Sequence, residues 1–178
     1  MKESKLIGLP VFSSVSATES ITVDELKEHL YIEAGNTDFD AILTTLRKEV
    51  RQWIEETCCI SLVSKTVTVI IDYESSFAIP YGPVTSFTSA SRKTGISEYE
   101  LEILNEDYEV EAGRFISYTG AWRYKLIYVA GYTSSTIPEG LKLAFKNEVA
   151  RRFDKRGDAS IPDTNELLQP FKNLDWLV

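Results

Sequence analysis

The hydrophobic period of this chain changes between residues 57 and 62, and that change constrains the fold more than any other feature. Before it, apolar and small residues recur at steps of three and four, the period of an amphipathic helix; they are Phe39, Ile42, Leu43, Leu46, Val50, Trp53, Ile54 and Thr57. After it, alternate residues share one face, as they do in a strand; they are Val63, Lys65, Val67, Val69 and Ile71. The sequence therefore predicts a long helix followed directly by a sheet.

A shorter helix is predicted to precede the long one, from Val23 to about Tyr31. Thr22 and Glu25 have the spacing of a capping box, in which a hydroxyl and a carboxylate satisfy free amides at a helix start. We expect Thr37 or Asp38 to cap the long helix in a similar way. The charged residues expected on its solvent face are Arg47, Lys48, Glu49, Arg51 and Glu55.

Further strand-like runs follow, separated by glycine and proline residues that favour turns. They cover residues 76–79, 84–90, 101–104, 108–111, 114–118 and 122–130. A last long helix is predicted to begin at Pro138, whose missing amide is not needed in a first helical turn. Its apolar stripe is Leu141, Ala144, Phe145, Val149 and Phe153. A short helix is predicted near 165–168.

This order predicts an α+β fold: a helical core of two N-terminal helices and one C-terminal helix, with an inserted small antiparallel β-sheet or sandwich. We expect a single domain over residues 1–178. Its parts are an N-terminal arm without regular structure (1–20), a helical part (21–60), a β insertion (61–133), a C-terminal helix (138–157) and a C-terminal docking tail (158–178).

Charge and composition exclude several classes of protein. The formal net charge of −8 opposes nucleic-acid recognition, which depends on clustered Lys and Arg. An acidic wall would still suit a channel through which DNA must slide without sticking. No run approaches the 18 apolar residues of a membrane span, and we expect no membrane partner. Cys58 and Cys59 are adjacent, so they cannot link distant parts of a fold, which fits a reducing cytoplasm.

We find no pattern that predicts a catalytic centre, a cofactor site or a metal site. His29 is the only histidine, and we interpret it as a solvated polar residue because it lies beside Glu25 and Glu28. No phosphate-binding loop and no G-x-S-x-G nucleophile motif is present. We read Cys58 and Cys59 as buried small apolar residues. Carboxylates at 98–111 alternate with apolar residues, which favours a solvated strand face over an acid-base pair or a cation site.

Two features of the C-terminal part leave alternatives open. A basic group, Arg151, Arg152, Lys155 and Arg156, ends the last long helix, where it either pairs with an acidic partner or is solvated at the favourable end of the helix dipole. The tail carries large apolar residues after two prolines: Leu167, Leu168, Phe171, Leu174, Trp176 and Leu177. It either folds back on the body of the protein or docks on another chain.

Six segments, taken in order, resemble the head-tail connector (adaptor) proteins of tailed phages, in the long form with a β insertion. They are Ile21 to Leu30, Asp38 to Cys58, Ile79 to Ser86, Tyr128 to Tyr132, Pro138 to Arg156 and Leu167 to Lys172. Each segment alone is degenerate, so the resemblance depends on their order and spacing across residues 21–172. The family often has an arginine where this chain has Lys172.

The resemblance implies a non-enzymatic structural protein of the virion, located at the junction of capsid and tail and made in the cytoplasm of the bacterial host. It implies a homo-oligomeric ring, with twelve subunits expected, seated beneath the portal protein and carrying a neck or tail-completion protein. DNA would pass through the ring without sequence-specific binding. The interface residues expected from the tail and the basic group are Leu167, Leu168, Phe171, Lys172, Trp176, Arg151, Arg152, Lys155 and Arg156.

Two other hypotheses remain at this point. The first is an unrelated protein-binding module that acts through the apolar C-terminal tail. The second is a small hydrolase or metal enzyme that uses the acidic stretch at 98–111. An enzyme would need a pocket that gathers titratable groups, whereas a connector or a binding module needs exposed apolar surface.

Overall fold

The computed structural model of the protein describes residues 5–72, 76–96, 98–118, 123–154 and 164–173. The helices are α1 (Val23–His29), α2 (Asp40–Cys58), α3 (Glu139–Asp154) and α4 (Thr164–Leu168), followed by a 3-10 turn at Gln169–Phe171. The strands are β1 (Lys5–Leu6), β2 (Val11–Ser13), β3 (Lys65–Asp72), β4 (Ser76–Ala78), β5 (Val84–Lys93), β6 (Tyr99–Leu101), β7 (Tyr108–Glu111), β8 (Arg114–Ser117) and β9 (Arg123–Ala130).

Within these ranges the strands form two antiparallel sheets, and the predicted α+β class is confirmed. The larger sheet has the order β1-β3-β9-β5-β6, with β2 also pairing with β3, and the smaller has the order β4-β8-β7. The central pair runs without interruption from Lys65 opposite Ala130 to Asp72 opposite Arg123. In β3 every second side chain is buried, as the two-residue period predicts.

The N-terminal segment differs from the prediction. We expected no regular structure before residue 21, but β1 and β2 both pair antiparallel with β3, placing Leu6 opposite Ile71 and Phe12 opposite Val67. A strand at the edge of a sheet has unpaired amides and carbonyls, and these two short strands satisfy part of that edge. Strands of two and three residues on either side of Gly8, which has a positive φ, are too short to produce a recognisable alternation.

The helix starts show one correct and one wrong prediction. At α1 the Thr22 hydroxyl accepts the Glu25 amide, and the Glu25 carboxylate accepts the Thr22 amide, so the capping box is confirmed. At α2 neither Thr37 nor Asp38 caps the helix: the N-cap is Phe39, without a side-chain bond. Instead, the Asn36 side chain accepts the Asp38 amide in a preceding turn. The ring of Phe39 packs edge-on against Phe153 of α3.

The buried apolar residues form two clusters. The helical cluster joins α1, α2, α3 and α4 and includes Leu26, Leu43, Ile54, Leu141 and Leu168. The β cluster lies between the two sheets and includes Val67, Phe115, Tyr124, Leu126 and Tyr128. Stacked and tilted aromatic rings of Phe87, Tyr108 and Phe115 fill part of the β cluster. Each cluster corresponds to one of the two periods in the sequence.

The two clusters meet where α2 ends and β3 begins. Cys59 ends the helix in the left-handed region at φ 51°, which reverses the chain. The Glu55 carboxylate then accepts the Leu62 amide at 2.7 Å and pairs with the Lys65 ammonium at 3.0 Å. We predicted Glu55 and Arg51 to be on the solvent face, but their side chains are only 12% and 20% exposed. Arg51 pairs with Glu19, so the N-terminal segment covers this side of α2.

A close backbone approach holds the same end of the sheet, where β9 ends beside the start of β3. Gly131 follows β9 with φ +141°, and a Cβ atom built there would lie 2.3 Å from the Val63 carbonyl oxygen. The adjacent Tyr132 amide donates to the Ser61 carbonyl at 3.1 Å. Only glycine lets the chain leaving β9 pass so close to the segment that leads into β3.

Gly131→Ala is therefore expected to destabilise the protein by about 3 kcal/mol, because it adds both a backbone clash and an unfavourable φ. Urea unfolding followed by circular dichroism measures this loss. Gly35→Ala is the matched control, since a Cβ there meets nothing within 4 Å. We expect its effect to stay within about 0.5 kcal/mol. Equal stability of the two variants would contradict the role of Gly131.

Candidate interaction surfaces

Two residues of the predicted basic group, Arg151 and Arg152, lie around a buried carboxylate. Glu148 of α3 is buried, and its Oε2 accepts the Arg151 Nε at 2.8 Å while its Oε1 accepts the Arg152 Nε at 2.8 Å. The Thr164 hydroxyl, at the start of α4, donates to Oε2 at 3.0 Å. Arg152 also lies over the ring of Trp53 on α2. Both arginines are thus held inside their own chain, with about a quarter of each side chain exposed.

These contacts change the acidity of Glu148. Burial alone would raise the pKa of this carboxyl group, but the hydrogen bonds from Arg151, Arg152 and Thr164 outweigh that effect and lower the pKa from 4.5 to about 2. Glu148 therefore stays ionised in the folded protein at any ordinary pH. It connects α3 to the segment that begins the C-terminal tail.

The described part of the tail folds back on the body. Leu168 is fully buried in the helical cluster, and the ring of Phe171 lies against Gly140 of α3. The Asn173 amide donates to the Cys58 carbonyl at 2.9 Å, and its side-chain amide reaches the Ile79 carbonyl at 3.4 Å. Of the two alternatives for the tail, folding back on the body of the protein therefore applies between residues 164 and 173.

Apart from Arg151 and Arg152, the predicted interface residues divide into three groups. Leu168 has no surface left for a partner in this conformation, because it fills the core of its own chain. Leu167 is 38% exposed, and Phe171 and Lys172 are half-buried. Lys155, Arg156 and Trp176 lie outside the described residues. A single chain does not test their interface role, which remains a prediction.

The acidic stretch differs from the predicted solvated face. Glu102 is buried and pairs with Arg92 at 3.3 Å, whereas its apolar neighbours Leu101 and Ile103 are more than half exposed. The β-end patch, as we call it, consists of Leu101, Ile103, Leu104 and Tyr118. Asp107 joins its parts, because its amide donates to Ile103 and its carbonyl accepts the Tyr118 amide. Glu98, Glu100, Glu106 and Glu111 are exposed, as predicted, so the solvated face fails at Glu102 and in the exposure of the apolar residues beside it.

A second surface is a groove of about 500 Å³ between the N-terminal segment and α2. We call it the N-terminal groove; its lining is Leu9, Pro10, Phe12, Val15, Arg51, Gln52, Glu55, Glu56, Val63, Lys65 and Tyr81. The Phe12 ring packs edge-on against the Tyr81 ring. The Lys65 ammonium lies 4.2 Å from the centre of the Phe12 ring. Leu9 is 92% exposed and Val15 is 49% exposed. The groove thus combines an apolar rim with the ion pair of Glu55 and Lys65.

The remaining candidates for chemistry have structural roles. His29 is half-buried and its Nε2 lies 3.2 Å from the Asn147 side-chain oxygen, which links α1 to α3. Cys58 and Cys59 are buried, as predicted, and burial raises the pKa of the Cys58 thiol to about 11. Among the described residues no group of three or more His, Cys, Asp or Glu could hold a metal ion. No helix within the same ranges has the length and apolar character of a membrane span.

Known structures share this fold. A chain in the neck of an empty gene transfer agent (GTA) particle, solved with C6 symmetry, has a TM-score of 0.68 and 17% identity, over 91% of this chain and 95% of its own. A chain in the virion of a native GTA particle has a TM-score of 0.68 and 18% identity, over 90% and 94%. A chain in the neck of a native GTA particle, solved with C12 symmetry, has 0.63 and 16%, over 91% and 94%.

Comparison by sequence adds no relative. No protein-family model matches the chain, and no curated protein matches it. The similarity to the GTA chains is thus a similarity of fold, and it extends over nearly the whole length of both compared chains.

Sequence reasoning missed both exposed apolar surfaces. Leu9, Phe12 and Val15 lie in the segment expected to have no regular structure, and the β-end patch lies in the stretch read as solvated carboxylates. The sequence signal for these surfaces is the presence of large apolar residues in segments that were not predicted to contribute to the core. Clusters of such residues on a folded surface mark sites of protein contact.

Glu148→Gln is expected to destabilise the protein by about 3 kcal/mol at neutral pH, because two arginines lose their shared buried carboxylate. Since folding lowers the pKa of Glu148, its contribution is fully present above pH 4.5 and is lost as the pH falls toward 2. Urea unfolding at a series of pH values measures both effects.

The control is Glu139→Gln, which changes an exposed carboxylate that pairs with Lys142 on the same helix. We expect nearly unchanged stability for this variant. A Glu148→Gln variant as stable as the native chain, with the same acid sensitivity, would show that the hydrogen bonds of Glu148 do not hold α4 in place.

Proposed function

We propose that this protein is a structural connector subunit in the neck of a tailed-phage-like particle, without catalytic activity. In this proposal it forms a ring beneath the portal, extends the DNA channel and carries the next neck or tail component. The observation that supports it most is agreement of fold over nearly the whole chain with chains in GTA particles, two of them in necks. The resemblance of the six sequence segments points to the same role independently.

The surfaces of the chain agree with assembly. The β-end patch and the N-terminal groove expose large apolar residues at two separate places on one subunit. A ring subunit needs two different surfaces, because each copy contacts the next through a head-to-tail interface. The related necks were solved with C6 and C12 symmetry, which are both compatible with a ring of twelve copies.

The other two hypotheses receive less support. The binding module was predicted to act through the apolar tail, but Leu168 and Phe171 of that tail pack into their own chain. The enzyme was predicted to use the acidic stretch, where Glu102 is paired with Arg92 and the neighbouring surface is apolar. We therefore keep the connector as the single proposed function.

Particles purified from cells that produce this protein test the proposal. We expect mass spectrometry to detect the chain in intact particles, and electron microscopy to show a ring that fits the subunit fold between capsid and tail. Particles assembled without the chain are expected to retain the portal but lose this layer, and DNA is expected to leak from them. Adding the purified chain to such particles should restore the layer.

Two results would overturn the proposal. The first is the absence of the chain from intact particles. The second is its presence at a different location, such as the capsid surface or the tail tip. A control addition of the Glu139→Gln variant, which alters only an exposed carboxylate, should restore the layer as well as the native chain does.

A further inference from the structure

We propose that the open edge of β6 binds an extended segment of a different protein, one that carries lysine or arginine at alternate positions and adds a strand to the larger sheet. This inference rests on the proposed connector function, in which a ring subunit must hold another component as well as its neighbouring copies. It identifies the place on the subunit for this third contact and the chemistry of the segment that binds there.

The outer edge of β6 has main-chain groups that point away from the sheet. β6 ends the strand order β1-β3-β9-β5-β6, so within the described residues it has a neighbouring strand on one side only. The Glu102 amide donates to the Ala90 carbonyl at 3.0 Å, which makes these two residues a hydrogen-bonded pair. Because bonded and non-bonded pairs alternate between antiparallel strands, the amides and carbonyls of Leu101 and Tyr99 face the open side. These four groups can pair with a further strand.

Exposed apolar side chains lie along the same edge. Leu101 is 71% exposed, and Ile96, in the turn that leads from β5 into β6, is 95% exposed. Leu101 also belongs to the β-end patch, so the edge borders that patch. When a strand adds to the edge of a sheet, main-chain hydrogen bonds supply affinity and side chains at alternate positions supply specificity. The edge of β6 offers both kinds of contact.

The charge around the edge favours a basic segment. Residues 94–118 contain seven acidic residues and one arginine, a net charge of −6 in a chain whose net charge is −8. Glu98 and Glu100 are both exposed beside the open main-chain groups. Across two paired strands, opposite charges that face each other are stabilising and like charges are destabilising. A strand with lysine or arginine at alternate positions therefore fits this edge.

The described edge strands of a second copy do not match. Two β6 edges would bring glutamates against glutamates, and β7, at one end of the smaller sheet, reads Tyr-Glu-Val-Glu. β2 reads Val-Phe-Ser and β4, at the other end of the smaller sheet, reads Ser-Phe-Ala, so neither carries a charge. β1 carries a single cation, Lys5. We therefore assign the bound segment to another protein.

Photo-cross-linking in assembled particles tests the contact. Particles assembled without the chain receive a full-length Leu101→Cys variant that carries a benzophenone-maleimide label. The native thiols should react little with the label, because both are buried and burial raises the pKa of Cys58 to about 11. The native chain treated with the same reagent measures that background. After irradiation, we expect mass spectrometry to find residue 101 joined to a segment of a different protein with lysine or arginine at alternate positions.

Two matched pairs of variants test the charge and the main chain separately. Adding Glu98→Lys to the labelled chain is expected to lower the cross-link yield about tenfold. Glu106→Lys, the same change at an exposed carboxylate beyond the end of β6, should leave the yield unchanged. In unlabelled chains, Leu101→Pro removes an open amide without removing a bond to β5, whereas Leu101→Ala keeps that amide.

We expect the cross-linked protein to be lost from particles with Leu101→Pro and largely retained in particles with Leu101→Ala. Circular dichroism of each purified variant shows whether it folds. If Leu101→Pro does not fold, the comparison of Glu98→Lys with Glu106→Lys decides the outcome, because both of these side chains are exposed.

Other results would overturn the inference. They are a cross-link to another copy of this chain, a cross-link to a segment without alternating cations, no cross-link above the background, and equal yields for the two glutamate variants. If particles carry the ring in any of these cases, the connector function stands and only this contact is wrong. Absence of the native chain from intact particles would instead refute the connector function itself.

Discussion

The ion pair between Glu55 and Lys65 joins the two halves of this protein. Glu55 belongs to the last turns of α2 and Lys65 begins β3, so one carboxylate fixes the geometry between a helical cluster and a β cluster. The same carboxylate accepts the Leu62 amide, which satisfies a donor in the connecting segment. A buried pair of this kind is stabilising only when its partners are well bonded, and here the Phe12 ring covers the ammonium group as well. The junction therefore also explains why the N-terminal segment lies where it does.

The sequence predicted those parts of the fold that repeat a pattern over many residues. The change of period at residues 57–62 correctly placed α2 and β3, and the capping box correctly placed the start of α1. The start of α2 was wrong because Phe39 contributes through packing on Phe153, a contact that no local pattern reveals. The strands of the N-terminal segment were missed because they are formed by the edge of β3 and not by their own alternation.

The candidate surfaces were harder to predict than the fold. Alternation at 98–111 correctly predicted exposed carboxylates such as Glu98 and Glu100, but it could not predict the burial of Glu102, which depends on an ion pair with Arg92. For the tail, the composition showed large apolar residues without showing where they pack. The structure buries Leu168, half-buries Phe171 with its ring against Gly140 of α3, and leaves Leu167 partly exposed.

The separation of the two apolar clusters has a consequence for how the chain can vary. Because the junction is made mainly of polar contacts around Glu55 and of the backbone approach at Gly131, each cluster can exchange its apolar residues without repacking the other. Sequence drift can then accumulate independently in the two halves while their relative orientation is preserved. Such independent variation is compatible with a shared fold over about nine-tenths of two chains that are only 16–18% identical.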